Sequence, residues 1–232
     1  MNEFPAPLQG GLSSGPLKDD MLRANAAKIV KDTQEIPKTF YQRADGLVAP
    51  ERLRNPEPEI TICGHVDEEM FETTSEKLAK IAAGNNVING LRVNFSSFGG
   101  SVTTGFGVHD LLTVFGRDHK APITVTGYGP IMSMGALIIQ AGDIRRMPRN
   151  SRMLLHPVST GMFDETQRLE HKVQEVRALQ TIYSEIVSDR VRRAGKDMSP
   201  EEVTSLMEAN NGVGTYLTSE RALDLGLIDE VI

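Results

Sequence analysis

Three short segments hold residue types able to do chemistry, and their order along the chain matters as much as their identity. Ser97-Phe98-Gly99-Gly100-Ser101-Val102 joins a strand-like stretch to a helix-like one. Paired glycines at such a junction let backbone N–H groups approach a ligand closely at the positive end of the following helix. The segment is therefore an anion or oxyanion site, or simply a tight strand-to-helix turn. It is not a P-loop, since no Gly-Lys-Ser/Thr follows, and it lacks the three spaced glycines of a dinucleotide fingerprint. Next comes Gly129-Pro130-Ile131-Met132-Ser133-Met134-Gly135-Ala136, where Ser133 stands at the start of an apolar helix. Serine there is either an N-cap or a nucleophile whose neighbour Met134 offers its N–H to a developing oxyanion. Ile131 and Gly135 flank it, so it is not the Gly-x-Ser-x-Gly elbow of the α/β-hydrolases. The third segment, Arg152-Met153-Leu154-Leu155-His156-Pro157, ends an apolar strand on a histidine that is either packed structurally or a base. Taken in order, the three supply oxyanion donors, a nucleophile and a base for acyl transfer. His65, His109, His119 and His171 lie in polar or helical contexts, and no His/Cys/Asp/Glu grouping has metal-ligand spacing. Neither a metal nor a cofactor is expected.

The elements that must position these residues follow from hydrophobic period. Ile60–Gly64, Gly90–Phe95 and Ile123–Tyr128 read as strands, with a turn over Ser96–Ser101. Arg145–Met147 and Arg152–His156 read as two more. Helices are expected over Asp67–Ala83, Val102–Phe115, Ser133–Ala141, Pro200–Glu208 and Ser219–Leu225, with a long one over Asp164–Arg193 that is rich in charges on one face. Strands alternating with helices predict βαβ units, a largely parallel sheet and right-handed crossovers.

The chain changes character near residue 58. Seven of the twelve prolines (Pro5, Pro7, Pro16, Pro37, Pro50, Pro56 and Pro58) fall in the first 58 residues, a density that resists long regular elements. Residues 1–57 are expected to form an extended arm with one helix over Asp19–Lys31, and residues 58–232 a single α/β domain. A length of 232 residues suits that division. One cysteine, Cys63, excludes an internal disulfide framework. No apolar run approaches the roughly 20 residues of a membrane helix, and no signal peptide is visible at the start. The formal net charge of −6 argues against a dedicated nucleic-acid binder. Cytoplasm is the expected compartment.

With these residues in place, the chain resembles the proteolytic subunit of the ATP-dependent Clp protease, a serine peptidase family. Ser97–Gly105 is similar to that family's Ser-Pro-Gly-Gly-Ser-Val turn, and Met132-Ser133-Met134-Gly135-Ala136 to its Ala-Ser-Met-Gly-Ala segment. Pro148–His156 is similar to the stretch leading to its catalytic histidine, and Leu217–Asp229 to its closing segment. The likeness runs from about Ile60 to Ile232. It implies a crotonase-like, Clp-protease-like α/β fold of repeated βαβ units with a long handle helix. It implies Ser133 as nucleophile, His156 as general base, and the N–H groups of Gly100 and Met134 as oxyanion hole. It further implies a homo-oligomer of two stacked, seven-membered rings that takes unfolded protein substrates from an AAA+ unfoldase, with no cofactor, nucleic acid or membrane involved.

The sequence departs from that family in Phe98, where the family has Pro, and in Pro157, which follows His156 directly. The family's third triad member is normally Asp, yet no Asp lies between Asp197 and Asp224. Alignment from Ser199 without gaps puts Asn210 at that position, with Asn211 one step away, and an earlier gap would put Gly214 there. An Asn can orient an imidazole but lacks the charge that stabilises imidazolium. Two other readings stand beside an active serine endopeptidase. One is a weak or inactive ring subunit with a structural or gating role. The other is a crotonase-type acyl-CoA enzyme using the Gly-Gly turn.

Overall fold

The structure, a computed structural model, describes residues 42–43, 46–47, 57–84, 87–159 and 166–232. The chain forms two compact units, Met1–Leu53 and Arg54–Ile232. In the first, β1 (Gln42–Arg43) pairs antiparallel with β2 (Gly46–Leu47). The helix expected over Asp19–Lys31 lies outside the described residues.

The second unit opens with β3 (Glu59–Val66) and α1 (Glu68–Ala82). Asp67 caps α1 by accepting from the Met70 N–H at 3.0 Å, and Glu68 and Glu69 favour its positive end. Then come β4 (Leu91–Gly100), α2 (Val102–His119) and β5 (Ile123–Met132). These three strands pair in parallel in the order β3-β4-β5, as the alternation of elements requires. Their inward positions, among them Ile62, Val93, Phe95, Val125 and Ile131, form the core with Val108 and Leu112 of α2.

Both β4 and β5 run further than sequence period suggests. The segment expected to turn over Ser96–Ser101 stays in the sheet to Gly100, because β3 shifts register between Cys63 and His65 and pairs on through Val66 and Gly100. Ser101 alone makes the turn and caps α2. β5 leads into α3 (Met134–Ile138), which tightens into a 3-10 turn at Ile139–Ala141. Two strands then divide the far edge of β5. β6 (Ile144–Met147) pairs with Thr124–Thr126, and β7 (Arg152–Leu155) pairs with Pro130–Met132, both in parallel. The sheet forks at β5, and the fork opens where the candidate residues stand.

The long helix α4 (Thr166–Arg193) is expected from its period and is observed at 28 residues. It buries Tyr183, Val187 and Val191, one face at four-residue spacing, while Val173 and Ile182 are exposed. α5 (Pro200–Gly212) begins with a capping box at Ser199 and Glu202 and breaks at Ala209–Asn211, the two asparagines being left-handed. A strand that sequence period misses, β8 (Thr215–Thr218), pairs antiparallel with β7. Finally α6 (Ser219–Asp224) leads to β9 (Glu230–Val231), which pairs with β6. The result is a seven-stranded, mostly parallel sheet with helices, the mixed α/β architecture that the resemblance implies.

Candidate active site

Ser133 is the point where β5 becomes α3. Its N–H donates to the Leu154 carbonyl of β7 at 2.9 Å, so the fork of the sheet pins its backbone. Its torsions, φ 56° and ψ −125°, lie where side-chain-bearing residues rarely go. A residue held there costs about 1–3 kcal/mol and persists only if its surroundings impose it. The Ser133 side chain makes no capping hydrogen bond, so this serine occupies the cap position without doing a cap's work. Its hydroxyl is left available beside the first N–H groups of α3, which have no partner within the helix.

The end of β4 lies against it. A Cβ on Gly99 would overlap the Ser133 Cβ and stand 2.9 Å from its Oγ, so only glycine fits there. Ser97 holds this run in shape: its buried hydroxyl accepts from the Gly99 N–H at 3.0 Å and donates to the Gly64 carbonyl at 2.7 Å. Gly100 follows, facing Val66 and the ring of His65. Met134, whose N–H is the second candidate oxyanion donor, is buried, and its side chain fills the space left by Gly105.

His156 follows β7 directly, two residues beyond the Leu154 that pairs with Met132. Adjacent parallel strands thus deliver Ser133 and His156 to the same end of the sheet, where open α/β folds carry their sites. The His156 Nδ1 lies 2.8 Å from the Pro157 carbonyl oxygen. A carbonyl can only accept, so Nδ1 carries a proton, and in the neutral ring the lone pair a base needs is then on Nε2.

Asn210 stands elsewhere in this arrangement. Its amide nitrogen donates to the Gly214 carbonyl at 2.9 Å. Gly214 in turn lies against the end of β7, so close that a Cβ there would overlap the Leu155 carbonyl and sit 2.7 Å from the His156 Cβ. Among the described residues, His156 and Asn210 share no hydrogen bond. The segment that contacts His156 is the Gly214 turn, and Asn210 braces it. Sequence reasoning missed one further neighbour. The Tyr183 hydroxyl of α4 donates to the Ser133 carbonyl at 3.1 Å, and burial pushes its pKa far up. Its only sequence signal was a place on the apolar stripe of a helix.

Among the described residues no three of His, Cys, Asp and Glu converge as a metal site, and no helix is long and apolar enough to cross a membrane. What the geometry offers is a strained serine, a histidine with Nε2 free to accept, and glycine-built backbone beside both.

Comparison with known proteins agrees with this reading of the fold. The pattern that defines the Clp protease family matches residues 51–232, and the chain belongs to that family. It is 33% identical over 136 residues to a protein of Deinococcus radiodurans named ATP-dependent Clp protease proteolytic subunit. That match covers 58% of this chain and spans 60% of the relative's length.

Proposed function

We propose that this chain is a serine endopeptidase subunit that hydrolyses peptide bonds of unfolded proteins. The observation that carries the reading is Ser133 itself: strained, uncapped, and packed on Gly99 at the end of the sheet where His156 also stands. Ser133 Oγ attacks the scissile carbonyl while His156 Nε2 takes its proton. The N–H groups of Gly100 and Met134 receive the charge on the tetrahedral oxygen, a donor pair in which each member is worth about 10²–10³ in rate. His156 then returns the proton to the leaving amine, and water hydrolyses the acyl-enzyme by the same steps. Asn210 enters one contact removed, as the residue that fastens Gly214 against His156.

Family membership and the exposed apolar residues of α4, Val173 and Ile182, support a homo-oligomer of two stacked seven-membered rings, cytoplasmic and fed by an AAA+ unfoldase. The test of the chemistry is covalent labelling by a fluorophosphonate. Wild type is expected to label at Ser133 and to cleave short peptides, and Ser133→Ala to do neither. An unlabelled wild type would sink the reading.

A second reading, a weak or inactive ring subunit, draws on one observation: the partner of His156 Nδ1 is a backbone carbonyl, not a carboxylate. It predicts no turnover by the chain, alone or mixed with an active relative.

A further inference from the structure

Among the buried ionisable groups that the mechanism above does not use, Tyr183 stands beside the proposed nucleophile. Tyr183 is 2% exposed, and desolvation alone holds its pKa above the usual phenol range, so it remains a donor. That hydroxyl reaches from α4 to the Ser133 carbonyl oxygen. The same oxygen also accepts from the Ala136 N–H at 2.9 Å, the bond that opens α3. Two donors therefore converge on one carbonyl, and Tyr183 stands fifty residues from it in sequence.

The carbonyl of Ser133 and the N–H of Met134 belong to one peptide unit. That unit is planar and trans, so its C=O and N–H point in opposite directions. Fixing the oxygen at one end fixes the aim of the N–H at the other. The rotation that would spoil this aim is ψ of Ser133, already in a sparsely occupied region at −125°. Donation to the carbonyl also polarises the amide and strengthens its N–H as a donor. We propose that Tyr183 is a positioning residue for the oxyanion hole, aiming and strengthening the Met134 N–H through the Ser133 carbonyl. The proposal rests on the reading of Ser133 as nucleophile.

Tyr183→Phe removes one oxygen and keeps the ring that packs in the core. A contact that acts on the oxyanion acts in the transition state only, so kcat should fall by about tenfold with KM unchanged. Affinity for a peptide boronate, which forms the tetrahedral adduct, should fall by the same factor, while binding of an uncleavable peptide stays as in wild type. Para-aminophenylalanine at 183 keeps a weaker donor in place. Its kcat should lie between those of tyrosine and phenylalanine, and against wild type it gives the comparison if the phenylalanine variant does not fold. Equal kcat in every variant that folds, or a loss shared equally by KM and the uncleavable peptide, overturns the proposal. Fluorophosphonate labelling of Ser133 in wild type separates the two levels. With no labelling the nucleophile reading fails, and with labelling but no effect at Tyr183 this inference alone fails.

Discussion

His156 takes its orientation from the carbonyl of the very next residue, and the consequence is electrostatic. A carboxylate in that place would hold the ring and, in the proposed mechanism, also stabilise the imidazolium that forms as Ser133 loses its proton. A carbonyl dipole holds the same tautomer with less charge stabilisation. Restoring a carboxylate nearby looks simple, since Asn210→Asp would put one at the ungapped triad position. The structure argues the opposite outcome. Asn210 donates to the Gly214 carbonyl, and an ionised Asp has no proton to donate. Two oxygens would face each other on the turn that abuts His156. Asn210→Asp should therefore destabilise the fold by about 1–3 kcal/mol and lower kcat, with Asn210→Ala between it and wild type. Thermal melts and peptide cleavage on the three proteins check this, and higher kcat in the Asp variant would show that residue 210 addresses the imidazole directly.

At the scale of elements, the site depends on how the fork of the sheet is locked from behind. Arg145 of β6 is fully buried. It donates to both Asp229 carboxylate oxygens, at 2.9 and 2.7 Å, and to the Gln140 side chain at 2.6 Å. Gln140 passes the connection to the Ala136 carbonyl of α3 and the Leu227 carbonyl. The C-terminal segment is thereby tied to the helix that Ser133 begins. Partial burial pushes the Asp229 pKa up, but hydrogen bonding and charge from Arg145 outweigh it, so the pKa lies below its ordinary 3.8. A depressed carboxyl contributes stability that is present above pH 3.8 and is lost as pH falls through the folded-state value. Asp229→Asn should cost about 3 kcal/mol near neutrality, since it strands a buried guanidinium. It should also flatten the decline of stability on acidification. Denaturant melts of both proteins from pH 7 down to about pH 3 test this, and parallel curves would remove Asp229 from the acid response. Little of this network was legible in the sequence, because Arg145, Gln140 and Asp229 belong to no shared period. The βαβ alternation, α4 and the strand-end positions of Ser133 and His156 were legible, because each rests on local period. β8 was not, being four residues long with little alternation, and Tyr183 reads there as one more apolar position before Val187 and Val191.

On the scale of the whole molecule, α4 behaves as two helices in one. Its second half packs Tyr183, Val187 and Val191 into the core and sends one hydroxyl to the Ser133 carbonyl. Its first half presents exposed residues from Glu170 to Glu175, and Val173 and Ile182 stay open to solvent at 41% and 43%. Isolated helical turns are marginal in water, since most helical stability comes from packing. A long helix extended past its own core with apolar residues exposed is suited to packing against another copy. If rings stack through this helix, a charge at either site should weaken assembly without unfolding the domain, because neither side chain contributes to the core. Val173→Glu and Ile182→Glu should each shift wild-type oligomers toward smaller species in sedimentation velocity, with melting of the dissociated chain changed by less than about 0.5 kcal/mol. Both variants sedimenting as wild type would remove α4 from the contact. The Tyr183 link adds a readout: if assembly orders α4, the smaller species should label more slowly at Ser133 than wild type, and equal labelling would mean that the site needs no partner to form.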